Sequence, residues 1–267
     1  MKPLLRAPIV AIMIFQVAAL LARAYLEIRL IEGGQTKPFA QDLSYLLVPP
    51  ILIALMYPIL RKHWQYLLSL LRLQNLTPRL VVLSVLLGFT LKMTYWGGLI
   101  SLISFGLIRN SDPDAVVGPE ISFGCPEPMV LGLSILVVAL LIPIVEEVIN
   151  RGLILNSLWH RGKIRAVLIS SVLFAIMHAP QAMLLAFFVG IILAVQMFNY
   201  RTLWATMITH ATYNAMTILD WECMSTQWNP TTTTTSMIGT GLLASALAIL
   251  GLLFSIFLVQ SYKRRDA

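Results

Sequence analysis

The stretch that decides the fold runs from Leu131 to Arg151 and is LGLSILVVALLIPIVEEVINR. Leu131–Val145 contains no charged side chain, and two glutamates and an arginine follow within six residues. About 20 apolar residues cross the hydrocarbon core of a bilayer, which is about 30 Å thick. The stretch therefore predicts a transmembrane helix whose charged groups need a specific explanation, because each costs about 2.5–3.5 kcal/mol on insertion scales.

The rest of the chain has the same apolar character. Of its 267 residues, 58% are hydrophobic and 12% are charged, and the mean hydropathy is +0.82. A soluble domain has about 25% charged residues. We therefore predict an all-α, polytopic membrane helix bundle that forms one transmembrane domain over residues 1–267. About eight spans are predicted, at residues 7–26, 43–60, 80–108, 129–150, 164–179, 181–199, 202–219 and 237–260. An amphipathic helix at residues 64–73 is predicted to lie in the membrane interface.

The positive charge of the chain indicates lipid rather than nucleic acid as its partner. The net charge is +7 and the pI is about 9.6, but the basic residues form short clusters between the apolar spans. This alternation predicts that both termini lie in the cytoplasm. The basic clusters are Lys2 and Arg6; Arg61, Lys62, Arg72 and Arg79; Arg161, Lys163 and Arg165; Arg201; and Lys263, Arg264 and Arg265. The predicted outer loops carry Asp112, Asp114, Glu120 and Glu127, and then Asp220 and Glu222.

Two features of the predicted outer side each have two interpretations. Residues 1–24 resemble a cleaved signal peptide, but residues 7–26 are long enough to span, and we favour an uncleaved first span. Cys125 and Cys223 fall in outer loops, where an oxidising compartment permits a disulfide. Two unpaired thiols are the favoured alternative, because a bridge requires Cα atoms within about 7 Å. An oxidising outer face is typical of a bacterial inner membrane, which is the predicted location.

The charged end of the fourth span contains one carboxylate without a partner in its own helix. Glu147 and Arg151 are four residues apart, so they face each other on a helix and are predicted to pair. Glu146 lies about 100° around the helix from Glu147 and has no such partner. The helix could end here, with its charges in water, but residues 152–159 are again mostly apolar. We therefore favour charges that lie below the membrane surface.

Three further polar residues lie inside predicted spans. His178 shares a helical face with Phe174 and precedes Pro180, whereas His210 and Asn214 share a face of the seventh span. Each residue alone is typical of a hydrogen bond between membrane helices. Together with Glu146, they predict a polar pocket in which a carboxylate acts as general base and imidazole and amide groups stabilise an oxyanion.

These residues carry a resemblance to a known family. The three patterns, in chain order on successive helices, are Glu146-Glu147-x-x-x-Arg151, Phe174-x-x-x-His178 and His210-x-x-x-Asn214. They resemble the motifs of the CAAX protease and bacteriocin-processing (CPBP, or Abi) family of intramembrane glutamic-type endopeptidases, which includes the type II CAAX prenyl endopeptidases. The resemblance covers residues 145–214, the predicted catalytic motif region. It also includes Gly152, Gly190 and residues 200–204.

The resemblance implies an eight-helix intramembrane protease and a role for each matching residue. Glu146 would be the general base, and His178 would help to hold the attacking water. Glu147 would pair with Arg151, and His210 and Asn214 would stabilise the oxyanion. No cofactor is expected. The alternative is a zinc site in which Glu146, His178 and His210 are three ligands with an open fourth position, although the chain has no HExxH helix.

The predicted function is therefore hydrolysis of a peptide bond in a membrane-associated peptide or protein. A prenylated CAAX substrate is not predicted. The alternatives are a non-proteolytic immunity or scaffold protein of the same family, or a transporter with an intramembrane proton or ion path. Helix rise places Glu146 about 26 Å from the outer start of its span, and His178 and His210 about 21 Å and 12 Å from the inner starts of theirs. These depths do not coincide. Lys92, inside the third span, is predicted to snorkel or to contact backbone.

Overall fold

The computed structural model describes residues 6–110, 118–125, 127–229 and 234–261. In this part of the chain the helices are α1 (Ile9–Glu32), α2 (Lys37–Leu46), α3 (Val48–Leu70), α4 (Pro78–Asn110), α5 (Pro128–Arg161), α6 (Lys163–Ala175), α7 (Met183–Tyr200), α8 (Leu203–Cys223) and α9 (Thr234–Ser261). Two strands, β1 (Gly118–Phe123) and β2 (Met224–Asn229), pair with each other. Lys2, Asp112, Asp114 and the basic tail at 263–265, which were used to predict the orientation, lie outside the described residues.

The helices confirm the all-α membrane bundle, and each of the eight predicted spans corresponds to a helix. Among the described residues, six helical segments are long and apolar enough to cross a membrane: Ile9–Glu32, Lys37–Asn75, Pro78–Gly106, Pro128–Arg161, Met183–Tyr200 and Ile238–Ser261. The two others are α6 and α8. Helix α6 has only 13 residues, and α8 contains His210, Asn214 and Asp220, which lower its mean hydropathy. Helix α8 carries His210 and Asn214 of the predicted site, and His178 lies in the turn that follows α6.

The second predicted span is built differently from the prediction. It begins with α2, a separate short helix, and the chain turns at Leu47 into α3. The segment predicted as an interfacial helix at residues 64–73 is the continuation of α3 to Leu70, followed by a 3-10 turn at Leu73–Asn75. No glycine or proline separates the apolar part of α3 from residue 64, so the helix continues.

Helix α5, which carries both glutamates, changes its hydrogen-bond pattern along its length. It is α-helical at Pro128–Ser134, Ile142–Glu147 and Asn156–Leu158, and π-helical at Ile135–Leu141 and Val148–Leu155. Pro143 has no N–H to donate to the carbonyl four residues earlier, so a regular α pattern is incomplete there. Glu146 and Glu147 thus end an α-helical segment between two π-helical ones. Such departures from the α pattern are frequent at functional sites.

A two-stranded sheet and a disulfide connect the predicted outer loops. Strands β1 and β2 are antiparallel, with Gly118 opposite Asn229 and Phe123 opposite Met224. Cys125 and Cys223 form a disulfide with their Cα atoms 4.0 Å apart. The bridge, which the sequence left open, is therefore formed, and the favoured alternative of two unpaired thiols was wrong. It ties the start of α5 to the end of α8.

Small residues let the helices approach closely, as is typical of membrane bundles. Helix α4 packs along α9, and a Cβ atom added to Gly97 would lie 2.5 Å from the carbonyl oxygen of Ala244. Hydroxyl groups join the same two helices, with Thr90 Oγ1 2.8 Å from Ser255 Oγ. A separate apolar core packs α1, α3 and α5 to α8 against one another. This packing holds α5, α6 and α8 around a common space.

Candidate active site

The space is a cavity of about 520 Å³. Its walls come from α2, α4, α5 and α8, and from the end of α6, the connection that follows it and the start of α7, between Phe174 and Val189. Four of the six predicted site residues line it: Glu146, His178, His210 and Asn214. The other two, Glu147 and Arg151, are fully buried behind the wall. The structure therefore brings predicted residues from α5, from the turn after α6 and from α8 to one place.

The lengths of two helices explain why side chains with different predicted depths meet. Helix α5 continues to Arg161, which places Glu146 near its middle rather than at its end. The 13 residues of α6 extend about 20 Å, so the helix crosses only part of a ~30 Å core. The backbone then turns, with the His178 N–H donating to Ala175 O across 3.0 Å. His178 thus lies inside the bundle.

The ion pair predicted from the (i, i+4) spacing is present and completely buried. Arg151 Nε lies 3.3 Å from Glu147 Oε2. The guanidinium also donates from Nη2 to Gly190 O across 3.3 Å and lies 4.5 Å from the centroid of the Phe174 ring. Neutralisation by Arg151 makes a buried Glu147 carboxylate tolerable, because an isolated ion in the interior is strongly unfavourable.

His210 lies between the two carboxylates. Its Nδ1 lies 3.0 Å from Glu147 Oε1, and its Nε2 lies 3.7 Å from Glu146 Oε2. A carboxylate only accepts hydrogen bonds, so Nδ1–H is the donor to Glu147. The sequence pattern predicted Arg151 as a partner of Glu147 but not His210. Spacing along one helix carries no information about a partner on another helix. The imidazole therefore connects the first motif to the third.

Glu146 is the exposed member of the acidic pair. Its side chain is 29% exposed, whereas that of Glu147 is 0% exposed. The backbone carbonyl of Glu146 accepts a hydrogen bond from Asn150 Nδ2 across 2.8 Å, and the residue lines the cavity. The two adjacent glutamates therefore have different environments, one solvated and one enclosed.

The tautomer of His178 follows from its hydrogen bond. Nδ1 lies 2.9 Å from the carbonyl oxygen of Phe174, which only accepts, so Nδ1–H donates. In the neutral ring, Nε2 is then a hydrogen-bond acceptor. The Phe174 ring contacts both histidines, with ring centroids 4.6 Å from His178 and 5.8 Å from His210. Phe174 therefore fixes the orientation of the two imidazoles.

Asn214 is held against α5. Its Nδ2 donates to the carbonyl oxygen of Val138 across 2.9 Å, and Val138 lies in the first π-helical stretch of α5. The second N–H of the amide is not used by this bond. Asn214 can therefore anchor α8 to α5 and still donate into the cavity.

A second polar group borders the same cavity, and sequence reasoning missed it. Lys92 is 2% exposed and forms an ion pair with Asp220. Its Nζ also donates to Thr217 Oγ1 across 3.0 Å, and Trp96 Nε1 donates to Asp220 Oδ2 across 2.8 Å. The prediction that Lys92 snorkels or contacts backbone was wrong. Asp220, which was assigned to a loop, lies in α8. The pair of Lys92 and Asp220 joins two helices, and residue spacings of three or four along one helix predict only pairs within that helix.

Helix α2 forms the wall of the cavity that the sequence did not predict. Lys37, Gln41 and Tyr45, spaced four residues apart, line the cavity from one helical face. Tyr45 is covered by the guanidinium of Arg23 at 3.7 Å from the ring centroid. Arg23 pairs in turn with Glu27 at 2.5 Å. Lys37 is exposed, so the cavity reaches the surface of the bundle at the start of α2.

The described residues do not form a metal centre. Within this part of the chain, no group of three or more His, Cys, Asp or Glu side chains is arranged to hold a metal ion. Glu146, His178 and His210, the alternative zinc set, share the cavity without forming such a group.

Comparison with known proteins gives one match. Residues 128–216 match the family model described as type II CAAX prenyl endopeptidase Rce1-like. The matched segment begins at the first residue of α5, ends within α8 and contains all six predicted site residues. No curated protein and no solved structure matches the chain significantly.

Proposed function

From the match of residues 128–216 to the CAAX prenyl endopeptidase family model, we propose that this chain is an intramembrane endopeptidase. It hydrolyses a peptide bond of a membrane-associated peptide or protein, and Glu146 is the general base. One observation carries the proposal. The carboxylate of Glu146 faces a cavity that also receives His178, His210 and Asn214, while the adjacent carboxylate is neutralised behind the wall.

The charges of the site support a proton-transfer role for Glu146. Arg151 offsets the charge of Glu147, and one proton added to the pair of Glu146 and His210 would offset the charge of Glu146. That proton can lie on His210 Nε2 or on the Glu146 carboxylate, which are 3.7 Å apart. In the form with the proton on His210 Nε2, the Glu146 carboxylate can accept a proton from water and later release it.

The proposed reaction gives each group a defined role, and Glu146 acts first as base and then as acid. Water donates one hydrogen bond to His178 Nε2 and is deprotonated by Glu146 as its oxygen attacks the scissile carbonyl carbon. His210 Nε2–H and the second Asn214 N–H donate to the resulting oxyanion. Glu146 then transfers its proton to the leaving nitrogen as the C–N bond breaks. General-base catalysis contributes typically 10²–10⁴-fold, and one oxyanion donor about 10²–10³-fold.

The proposed topology supplies water to this site from outside the cell membrane. With both termini in the cytoplasm, as the basic clusters suggest, the start of α2 and the disulfide lie on the outer side. The cavity reaches the surface next to Lys37, which gives water a route to Glu146. A bacterial inner membrane remains the proposed location.

The experiment compares membrane proteomes of cells that contain the wild type, the Glu146→Gln variant or no copy of the chain. A protein that is shortened only with the wild type is the expected result. Glu146→Gln keeps the side-chain volume and should leave the melting temperature of the purified protein unchanged. A scaffold or immunity function predicts no shortened protein and no effect of the substitution, whereas a transporter predicts solute uptake into liposomes. Either result would overturn the proposal.

A chelator separates the proposed reaction from the zinc alternative. The purified protein is incubated with a strong chelator such as 1,10-phenanthroline and then assayed on the shortened substrate. Because the described residues hold no group suited to a metal ion, we expect activity to be retained. Loss of activity that added zinc restores would show that Glu146, His178 and His210 act as ligands instead.

A further inference from the structure

The proposed reaction does not use Tyr213, although this residue lies in the wall of the cavity. Tyr213 is 7% exposed, and its hydroxyl has no hydrogen-bond partner among the described residues. Buried hydroxyl groups normally have a hydrogen-bond partner, either a protein group or a bound molecule such as ordered water. Tyr200, another buried tyrosine of the bundle, donates its hydroxyl to Leu258 O across 2.9 Å. An unpartnered hydroxyl at a cavity wall therefore suggests a partner that arrives with a ligand.

The surroundings of Tyr213 define the ligand as a neutral hydrogen-bond acceptor. Lys92 Nζ lies 5.3 Å from the centroid of the Tyr213 ring and uses two of its three N–H groups on Asp220 and Thr217. The third N–H and the tyrosine O–H are available donors. Asp220 balances the charge of Lys92, so a ligand carboxylate would leave a net negative charge in a buried place. A carbonyl oxygen would not.

We propose that Tyr213 and Lys92 form a subsite that binds a backbone carbonyl of the substrate, away from the scissile bond. This subsite rests on the proposed peptidase function. Tyr213 lies three residues after His210 and on the same helical face, about 4.5 Å along α8. An extended peptide advances about 3.3 Å per residue. The bound carbonyl is therefore one or two residues from the bond that Glu146 and His210 address, and Tyr213 is a substrate-positioning residue.

The test uses two tyrosine-to-phenylalanine variants that remove the same atom. The probe is a library of internally quenched decapeptides with an N-terminal palmitoyl anchor, assayed with the protein in phosphatidylcholine vesicles. On the library member that the wild type cleaves fastest, Tyr213→Phe should raise KM roughly fivefold to tenfold, the effect of one hydrogen bond, with kcat little changed. Its melting temperature should not fall, because no protein contact is lost.

Tyr200→Phe is the matched control. It removes a partnered hydroxyl outside the cavity, so the melting temperature should fall while KM stays at the wild-type value. An unchanged KM in Tyr213→Phe overturns the subsite. A lower melting temperature of that variant with kcat and KM reduced together also overturns it, because a structural role would then account for the effect.

A binding measurement keeps the subsite separate from the peptidase function. The dissociation constant of a fluorescent, palmitoylated library peptide is measured for Glu146→Gln protein with and without Tyr213→Phe. Weaker binding by the same factor supports the subsite, even where no cleavage dependent on Glu146 is found and the proposed function fails. Equal dissociation constants together with Glu146-dependent cleavage overturn the subsite and leave the function standing.

Discussion

His210 Nδ1 donates to Glu147 Oε1 across 3.0 Å, and this bond joins the third motif to the first. Glu147 therefore contacts both Arg151 on its own helix and His210 on α8. A nucleophile–base pair commonly needs a third group to orient the base. By holding Nδ1, Glu147 directs His210 Nε2 towards Glu146. The buried glutamate thus positions the site, while the exposed one faces the cavity.

Replacement of Glu147 should destabilise the bundle far more than replacement of an exposed glutamate. Glu147→Gln leaves the Arg151 guanidinium buried without a counter-charge, which typically costs 3–5 kcal/mol of the free energy of unfolding. Denaturant unfolding of the protein in detergent micelles measures this loss.

Glu32→Gln is the matched control for that substitution. Glu32 pairs with Arg29 at 2.7 Å, and both side chains are more than half exposed. Such pairs contribute about 0.5 kcal/mol or less. If the two substitutions lowered the free energy of unfolding equally, the buried pair of Glu147 and Arg151 would contribute no more to stability than an exposed pair.

Two histidines donate from Nδ1 to a backbone carbonyl three or four residues earlier, and their replacement should affect activity differently. His178 Nδ1 contacts Phe174 O, and His160 Nδ1 contacts Ser157 O at 2.8 Å, but only His178 lines the cavity. We expect His178→Ala to reduce kcat about 10²–10⁴-fold, since the water that Glu146 deprotonates is no longer held in position.

His160→Ala controls for the loss of an imidazole. It should cleave the same substrate at the wild-type rate, because His160 is exposed. Equal kcat values for His178→Ala and the wild type would remove His178 from the proposed reaction.

The six candidate site residues could be predicted because their signal lies within single helices. Charges in an apolar stretch are unfavourable, so Glu146 and Arg151 are conspicuous in the sequence, and the (i, i+4) rule pairs Arg151 with Glu147. Contacts between helices leave no such periodic signal. For this reason the bonds of His210 to Glu147 and of Lys92 to Asp220 could not be predicted.

The apolar spans were predicted and their ends were not. Hydropathy identifies a stretch that fits the membrane, but it does not show that α5 continues past its charges to Arg161, or that α6 ends after 13 residues. These two lengths decide whether Glu146 and His178 meet. Helix α2 was missed because its polar residues face the cavity, so its composition is typical of a loop.

The disulfide should contribute measurably to stability. Cys125 and Cys223 are separated by 98 residues in sequence. A disulfide restricts the conformations of the unfolded chain and typically raises the free energy of unfolding by about 2–4 kcal/mol. The Cys125→Ser/Cys223→Ser double variant should therefore have a lower free energy of unfolding than the wild type. Treatment of the wild type with a reductant should shift its unfolding in the same direction.

The same bridge tests the proposed orientation. After reduction of intact cells, a membrane-impermeant maleimide should label both cysteines, which are the only ones in the chain. Labelling that requires permeabilised cells would place the disulfide and the two-stranded sheet in the cytoplasm and reverse the topology.

Two glycines of α4 should respond in opposite ways to the addition of one methyl group. A Cβ atom at Gly88 would lie 2.6 Å from Thr209 O and 2.7 Å from Thr212 Cβ, so α8 would have to move. Those two threonines flank His210. We expect Gly88→Ala to lower the free energy of unfolding by about 1–3 kcal/mol, as overpacking does, and to reduce kcat/KM at least about tenfold, since a displacement of about 1 Å can cost 10²-fold.

Gly98→Ala on the same helix is the control, because no atom lies within 4 Å of the added Cβ. This substitution should be neutral or should stabilise the helix by up to about 1 kcal/mol, with kcat/KM unchanged. Loss of stability in Gly88→Ala with full activity would show that α8 can move without displacing His210. The site would then not depend on the close contact between α4 and α8.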